Sequence, residues 1–305
     1  MRAMSVATAP PAPRARWAGL LLAVLGAIGF SGKAIIVKLA YRHGVDAVTL
    51  LMWRMLLALP FFLALAWWAG REKPALTRRD WRDIAVLGFT GYYLASYLDF
   101  AGLAYISASL ERLILYLNPT LVLLISVLCF HHRLQARQVV AMAVSYAGVV
   151  AVFAHELRFE GVGTAIGAAL VFGSAVSYAV YLALSGKVVQ RLGALRLTGL
   201  ASSVACGLCI GQFALLRPLS AAWVPEPVLS LSLLNATACT VAPVLMVMLA
   251  IARIGAPLSA QVGMVGPMST LLMGVAILGE PMNAWIVVGT LLVLGGVFLV
   301  GVRKA

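Results

Sequence analysis

Charged residues are scarce in this sequence, since only 11% of its 305 residues are Asp, Glu, Lys or Arg, against about 25% in an ordinary soluble domain. Hydrophobic residues make up 63% of the chain, and a soluble globule of this size has too little interior to hide them. The composition therefore excludes a soluble enzyme and a disordered chain. It predicts an all-α integral membrane protein.

Acidic residues are rarer than basic ones, with ten Asp and Glu against 23 Lys and Arg, for a formal net charge of +13. In a soluble protein this excess would suggest a nucleic-acid partner. Here most basic residues lie in short polar gaps between apolar runs, as in the cytoplasmic loops of membrane proteins. We therefore expect a lipid bilayer and no nucleic acid as a partner.

Cysteine is equally sparse, with four in the chain, all inside apolar runs. Cys206 and Cys209 form a C-x-x-C in an apolar helix, where packing is a better interpretation than redox or metal chemistry. The sequence contains no H-E-x-x-H, no G-x-S-x-G and no complete P-loop. It predicts no metal site, no cofactor and no enzymatic activity. A membrane-embedded enzyme and a non-transporting scaffold are the alternatives.

Ten apolar stretches approach or exceed the roughly 20 residues that a helix needs to cross the hydrocarbon layer. Residues 1–16 precede them and are predicted to form a flexible polar tail. In chain order, the stretches are 17–40, 46–69, 82–105, 108–130, 135–154, 163–186, 195–216, 227–251, 256–279 and 284–301.

The placement of Lys and Arg sets the expected orientation. With the N-terminus inside, 16 of them fall in cytoplasmic segments and four in external ones. The tail 1–16 and the C-terminus 302–305 are therefore predicted to be cytoplasmic, and residues 155–162 to form an external linker.

An internal repeat is the most informative feature. The two units, 17–154 and 163–301, hold five spans each, and because five is odd the second copy should enter the membrane inverted. Inverted repeats commonly present two alternative accessible states around a midplane site. A shift of 148 residues aligns Ile106-Ser-Ala-Ser-Leu110 with Ile254-Gly-Ala-Pro-Leu258, Pro119 with Pro267, and Phe30 with Tyr178.

Several of these residues resemble the drug/metabolite transporter superfamily, in its EamA-type branch of ten helices. The resemblance is carried by Ile106-Ser-Ala-Ser-Leu-Glu-Arg112, Asn118-Pro119, Ile254-Gly-Ala-Pro-Leu-Ser-Ala260, Gly266-Pro267 and Leu278-Gly279-Glu280. The first unit departs from the pattern, with His131-His132 in place of Gly-Glu and Phe30 in place of Trp. The resemblance implies a secondary transporter in the cell (inner) membrane, often an exporter of amino acids or other small metabolites. An importer of a nucleoside-like or amine-like solute is the alternative within this class.

Charges inside spans are costly and are the default functional candidates. Five charged residues lie inside the spans, all in the half of the membrane predicted to face outward. Their formal charges sum to nearly zero, which predicts mutual pairing. They form either an ion-pair lock between helices or part of a gate or binding cavity, where a spare cation could meet a carboxylate. Asp99 or Glu111 could also carry a coupling proton. The five are Lys33, Arg54, Asp99, Glu111 and Arg112.

Polar and aromatic residues at helical spacing complete the candidate site. Tyrosines facing a cavity could stack on an organic solute, or they could lie at the interface or in packing. Pro119 and Pro267 are candidate hinges or static kinks. The G-x-x-x-G pairs Gly163/Gly167 and Gly207/Gly211 are typical of close helix packing. The further candidates are Tyr93, Tyr97, Tyr116, Tyr178, Tyr181, Asn118 and Gln261, the two amides lining the cavity or bridging helices.

Overall fold

The computed structural model describes residues 13–130, 136–160, 162–254, 262–263 and 265–301. These residues form helices joined by short turns, and no strand occurs among them. Four sequence predictions concern residues outside these ranges: most of the polar tail, His131-His132, Gln261 and the C-terminal residues 302–305.

The first half of the chain begins with two long helices and continues in shorter pieces. Its helices are α1 (Pro13–Tyr41), α2 (Ala47–Gly70), α3 (Arg78–Leu87), α4 (Ala95–Leu103), α5 (Ala108–Leu115), α6 (Asn118–Phe130) and α7 (Ala136–Glu160). The second half has α8 (Val162–Leu192), α9 (Ala194–Leu216), α10 (Glu226–Ala236), α11 (Ala242–Ile254), α12 (Val265–Met273) and α13 (Ala284–Gly301). A short 3₁₀ turn, Leu219–Ala222, precedes α10.

Six helical stretches of the described chain are long and apolar enough to cross a bilayer. Large apolar side chains such as Leu21, Leu63 and Trp67 point outward from the bundle, where lipid would solvate them. The structure is therefore that of an all-helical, multi-pass membrane protein. The six stretches are Trp17–Tyr41, Ala47–Gly70, Ala108–Ile125, Val162–Leu192, Ala194–Leu216 and Glu226–Ala250, and three shorter apolar helices are Met142–His155, Met268–Leu278 and Ala284–Gly296.

The two halves of the chain interleave. The most extensive helix contacts join α7 to α13, α2 to α9, α1 to α11 and α4 to α8, and each pair takes one helix from each half. A shift of 148 residues converts α1 into α8 and α4 into α11, so the last two pairs exchange with each other. The packing therefore follows the repeat that the sequence predicts.

Two π-helical segments occupy matching places in the halves. Gly88–Leu94 separates α3 from α4, and Thr237–Val241 separates α10 from α11. After the 148-residue shift the first covers positions 236–242, which contain the second. A π segment bonds i to i+5 and rotates the following side chains, and such segments are frequent at functional sites.

The two G-x-x-x-G pairs behave differently. A Cβ on Gly167 would lie 2.9 Å from the Gly102 carbonyl oxygen, so α8 and α4 approach closely there, as the spacing predicts. At Gly207 and Gly211 a Cβ would meet nothing within 4 Å in the described part of the chain. The packing prediction is therefore wrong for the second pair within the described chain: the opposite face of this stretch, with Cys206, packs against Met55 of α2, whereas the face that carries the two glycines has no described residue against it.

One end of the bundle is held together by bonds between the halves. The Glu280 carboxylate accepts hydrogen bonds from the backbone N–H groups of Ala108 (2.7 Å) and Ser109 (3.2 Å) and from the Ser109 hydroxyl (2.6 Å). It therefore caps the start of α5, where helix N–H groups have no partner within the helix and negative charge is favourable. Nearby, Arg42 donates to the Leu278 carbonyl oxygen at 2.8 Å.

The opposite end of the bundle, where α2 ends and α9 begins, is held by ion pairs between the halves. Arg191 of α8 pairs with Asp80 and Asp83, each at 2.8 Å. The Thr77 hydroxyl and backbone N–H donate to Asp80, and together with Arg191 they hold the pKa of that carboxyl below its usual value. Both ends of the bundle are thus fixed by contacts that cross from one half to the other.

We predict that Glu280→Ala lowers the free energy of unfolding by about 2 kcal/mol, since two backbone donors of α5 lose a charged acceptor. The measurement is thermal unfolding in detergent, followed by intrinsic fluorescence. Glu72→Ala, in an exposed loop, is the control and should leave the transition unchanged. Equal stability of the wild type and Glu280→Ala would contradict the capping role.

Candidate functional site

A cavity of about 960 Å³ lies between helices of both halves. It extends from Lys33 and Asp99 toward Phe62 and Thr198, which lie near the end of α2 and the start of α9. Its walls combine charged side chains, tyrosines, hydroxyls and apolar groups. The size and the few convergent polar groups are those of a small-molecule site.

Four of the five predicted intramembrane charges meet at one end of this cavity. Lys33 Nζ lies 2.5 Å from Asp99 Oδ2 and 3.3 Å from Glu111 Oε1. Arg112 Nε lies 3.9 Å from Glu111 Oε2, and Arg112 Nη2 donates to the Phe30 carbonyl oxygen at 3.2 Å. The predicted mutual pairing is confirmed for these four residues, which join α1, α4 and α5.

Because the carboxylates of this group are buried, their charges must be compensated by other charges within the group. The Glu111 side chain has no exposed surface, and that of Asp99 is 3% exposed. Uncompensated charges at such depth cost several kcal/mol each. Lys33 is the cation shared by both carboxylates and lies closer to Glu111 than Arg112 does, so its ammonium makes the shortest ion pairs of the group.

Arg54 is not part of this ion-paired group, so the prediction of pairing is wrong for it. Its Nε donates to the Thr240 hydroxyl at 2.9 Å, and its guanidinium lies over the Phe100 ring at 5.2 Å from the ring centre. Thr240 and Phe100 thus hold the side chain in place of a carboxylate. Among the described residues, Nη1 of Arg54 is buried without a hydrogen-bond partner.

Three tyrosines form a cluster on the cavity wall. Tyr178 and Tyr181 stack with ring centres 5.4 Å apart, and Tyr92 meets Tyr181 edge-on at 5.2 Å, with 3.1 Å between their hydroxyl oxygens. The sequence pattern identified Tyr178 and Tyr181 but missed Tyr92. The reason is the π segment Gly88–Leu94, which changes the side-chain register and has no clear sequence signal.

Tyr93 and Tyr97 do not line the cavity. Both pack against the buried apolar cluster that contains Phe100 and Cys206. Of the alternatives open from the sequence, packing therefore applies to these two tyrosines. Cys206 and Cys209 belong to the same cluster as free, buried cysteines, as the packing interpretation of the C-x-x-C predicts.

Asn118 and Pro119 lie at a break between α5 and α6, and both line the cavity with Tyr116. Pro119 has no N–H to donate to the carbonyl oxygen of Leu115, four residues earlier. The Asn118 side-chain amide donates to that oxygen instead, at 2.7 Å. Asn118 thus bridges α6 to the end of α5 and also lines the cavity. Of the repeat-related Pro267 only the backbone, in α12, is described, and Gln261 lies outside the described residues.

The cavity is lined by equivalent positions of the two halves. In the first half these positions supply the charges, whereas in the second half they supply tyrosine, hydroxyl and apolar side chains. All the charged side chains at these positions therefore come from the first half, and Tyr92 of the first half joins the tyrosine cluster of the second. The pairs related by 148 residues are Phe30 with Tyr178, Lys33 with Tyr181, Arg54 with Ser202, Tyr92 with Thr240, Ser96 with Val244, and Asp99 with Val247.

No group of three or more His, Cys, Asp or Glu suited to a metal ion occurs among the described residues. The cavity chemistry visible in the structure is that of ion pairing, hydrogen bonding and aromatic contact. These are the means by which proteins bind small polar organic molecules.

We predict that Lys33→Met lowers the free energy of unfolding by about 3–5 kcal/mol, because it leaves the buried Asp99 carboxylate without an ion-pair partner among the described residues and Glu111 with Arg112 alone, at 3.9 Å. Adding Asp99→Asn and Glu111→Gln to Lys33→Met should restore most of the loss. Thermal unfolding in detergent measures both changes, and Lys187→Met, at an exposed position of α8, is the matched control. If Lys33→Met behaves like Lys187→Met, the ion pairs do not stabilise the bundle.

Comparison with known proteins identifies relatives along most of the chain. The sequence profile described as the EamA-like transporter family matches residues 17–154 and again residues 165–302. A Bacillus subtilis protein named "Uncharacterized transporter YcbK" is 28% identical over 291 residues, which cover 93% of this chain and 91% of that protein. An Archaeoglobus fulgidus "Uncharacterized transporter" is 26% identical over 173 residues, which cover 56% of this chain and 58% of that one.

A solved crystal structure shares the fold. It superposes with a TM-score of 0.62 and 16% sequence identity, covering 92% of this chain and 95% of the other. At this identity the likeness concerns the fold alone. The two profile matches are separated by 148 residues, the offset at which the cavity-lining positions coincide.

Proposed function

The chain belongs to the EamA-like transporter family, within the drug/metabolite transporter superfamily, and on that basis we propose that it is a secondary transporter that exports a small organic metabolite such as an amino acid. That it is a membrane transporter follows from the family and from relatives that are transporters by name. The solute, the direction and the mechanism are our proposal.

The observation that carries the proposal is the position of the cavity. It lies where the two halves meet and is lined by equivalent residues of each, among them Lys33 and Tyr181, and Arg54 and Ser202. Transporters built from repeats hold their substrate at the repeat interface, near the bilayer midplane. This location is hard to explain for a scaffold, which has no need of a polar cavity in the membrane.

The architecture we propose has ten spanning helices in two inverted units, 17–154 and 163–301, joined by an external linker at 155–162. The odd number of spans in a unit and the exchange of helix pairs between the halves support it. Both termini would be cytoplasmic, in the cell membrane. Reporter fusions test this arrangement, since residues 155–162 and the C-terminus must lie on opposite sides.

The proposed mechanism is alternating access. In the structure, three contacts join the halves: the Glu280 carboxylate accepts from the start of α5, Arg42 donates to the Leu278 carbonyl oxygen, and Ser31 donates to the Gly266 carbonyl oxygen at 2.8 Å. The first two lie at one end of the bundle. Each bond joins the first half to the second. Opening that end requires the halves to separate there, and the matched helix pairs at the other end can close in exchange.

We predict that purified protein in proteoliposomes exchanges an unlabelled amino acid inside the vesicles for a labelled one outside, because a secondary transporter catalyses counterflow without net energy input. Protein-free vesicles are the control. Efflux from preloaded cells then tests the export direction, and uptake by the cells would instead favour import. Folded protein that moves no amino acid, nucleoside or amine would contradict the proposed function.

Proton coupling through the buried carboxylates is a further part of the proposal. Asp99 and Glu111 share Lys33 on α1, Arg112 lies beside Glu111 on α5, and Arg54 of α2 acts electrostatically on Asp99. Burial and the nearness of a second carboxylate favour uptake of a proton by one of the two.

We predict that Glu111→Gln and Asp99→Asn flatten the pH dependence of transport, since an amide takes up no proton in this range. Flux measured against external pH in proteoliposomes checks this, with Asp83→Asn, outside the cavity, as the control variant. If both variants lose stability while the pH profile keeps its shape, the carboxylates only lock the helices.

A further inference from the structure

We propose that Arg54 binds a carboxylate group of the transported solute, while the cluster of Tyr92, Tyr178 and Tyr181 receives its apolar part. The inference rests on the proposed function, because it assumes that the cavity is the solute site. It goes further by assigning a residue to each end of the solute.

Arg54 lines the cavity wall and has one guanidinium donor that no described residue uses. The residue is only 7% exposed. The Thr240 hydroxyl accepts from its Nε at 2.9 Å and itself donates to the Asn235 carbonyl oxygen at 2.8 Å, so the guanidinium is fixed in orientation. Nη1 is buried and has no hydrogen-bond partner in the described part of the chain. A buried guanidinium donor without a partner is expensive, and a bound oxyanion would satisfy it.

The other two cations that line the cavity, Lys33 and Arg112, each have a carboxylate within ion-pair distance. Nε of Arg112, like Nη1 of Arg54, is buried without a hydrogen-bond partner among the described residues. Lys33 contacts Asp99 and Glu111, and Arg112 contacts Glu111 and the Phe30 carbonyl oxygen. These four charges sum to zero, so Arg54 is the excess positive charge among the five intramembrane charges. Within the described ranges, no carboxylate lies within the 4.0 Å ion-pair distance of Arg54. A solute carboxylate would neutralise it.

The tyrosine cluster indicates what kind of chemical group the rest of the solute carries. Tyr178 and Tyr181 present stacked rings, and the Tyr92 and Tyr181 hydroxyls are bonded to each other. Such a surface favours an apolar or aromatic body over a second charge. An ammonium beside the solute carboxylate would face Asp99, whose Oδ1 is buried without a hydrogen-bond partner among the residues described.

The test uses solutes that differ in one group at a time. Phenyl, indole and isobutyl bodies are each supplied as the α-amino acid, the deaminated carboxylate, the α-amino amide and the decarboxylated amine. Binding to the full-length protein in detergent is measured by thermal shift, and the best probe is then used in proteoliposome counterflow. The carboxylate-bearing forms of at least one body should stabilise the protein, and its amide and amine should not.

Four variants locate the effect. Arg54→Gln should raise the dissociation constant of the carboxylate probe about 10- to 100-fold, and Arg54→Lys should recover part of the affinity by keeping the charge. Thr240→Val leaves the charge but frees Nε, and should weaken binding about fivefold. Arg71→Gln is the control, because Arg71 also lies over an aromatic ring, that of Trp67, but outside the cavity.

The outcomes separate the two proposals. If no carboxylate of any body stabilises the protein, or if amides and amines bind as well, the assignment of Arg54 is overturned. Unchanged affinity in folded Arg54→Lys and Thr240→Val variants overturns it even where Arg54→Gln does not fold. Carboxylate binding that depends on Arg54, without any flux, would uphold the site and contradict the transport function instead.

Discussion

The Lys33 ammonium between two buried carboxylates is the interaction on which the rest of the bundle depends. In lipid, helices gain little from hydrophobic association, so polar contacts carry a larger share of helix pairing. Lys33 of α1 meets Asp99 of α4 and Glu111 of α5, and it fixes three helices around one end of the cavity. Because neither carboxylate has an alternative cation as close, moving α1 relative to α5 carries a high electrostatic cost. Any conformational change must therefore move these helices together or change the charge of the group.

The remaining cavity wall shows a division between the halves. The first half supplies the ion-paired group and Arg54, and the second half supplies stacked tyrosines and the Thr240 hydroxyl that orients Arg54. Binding at this site would therefore use residues of both halves at once. That arrangement links the occupancy of the cavity to the relative position of the halves, which is the coupling that a transporter of alternating access requires.

Much of this was available from the sequence. Hydropathy predicted the membrane class, the 148-residue offset predicted the paired halves, and Lys33, Asp99, Glu111 and Arg112 could be grouped because buried charges need partners. Local geometry was less accessible: the π segment at Gly88–Leu94 brings Tyr92 to the cavity and leaves Tyr93 in packing. Two further features depend on local backbone geometry and follow no repeating pattern. They are the partners of Arg54 and the hydrogen bond by which Asn118 replaces the N–H that Pro119 lacks. Periodicity predicts which face a residue is on only while the helix stays regular.

The carboxylate of Glu280 shows how far the two family units have diverged. It comes from the second unit and holds the start of α5 in the first, across about 170 positions of sequence. The corresponding position of the first unit is His132, which cannot supply a carboxylate. A pair of first units would therefore lack the carboxylate that caps α5, and a pair of second units would lack Lys33 and its partners. The two halves of this chain are therefore complementary parts and not interchangeable ones.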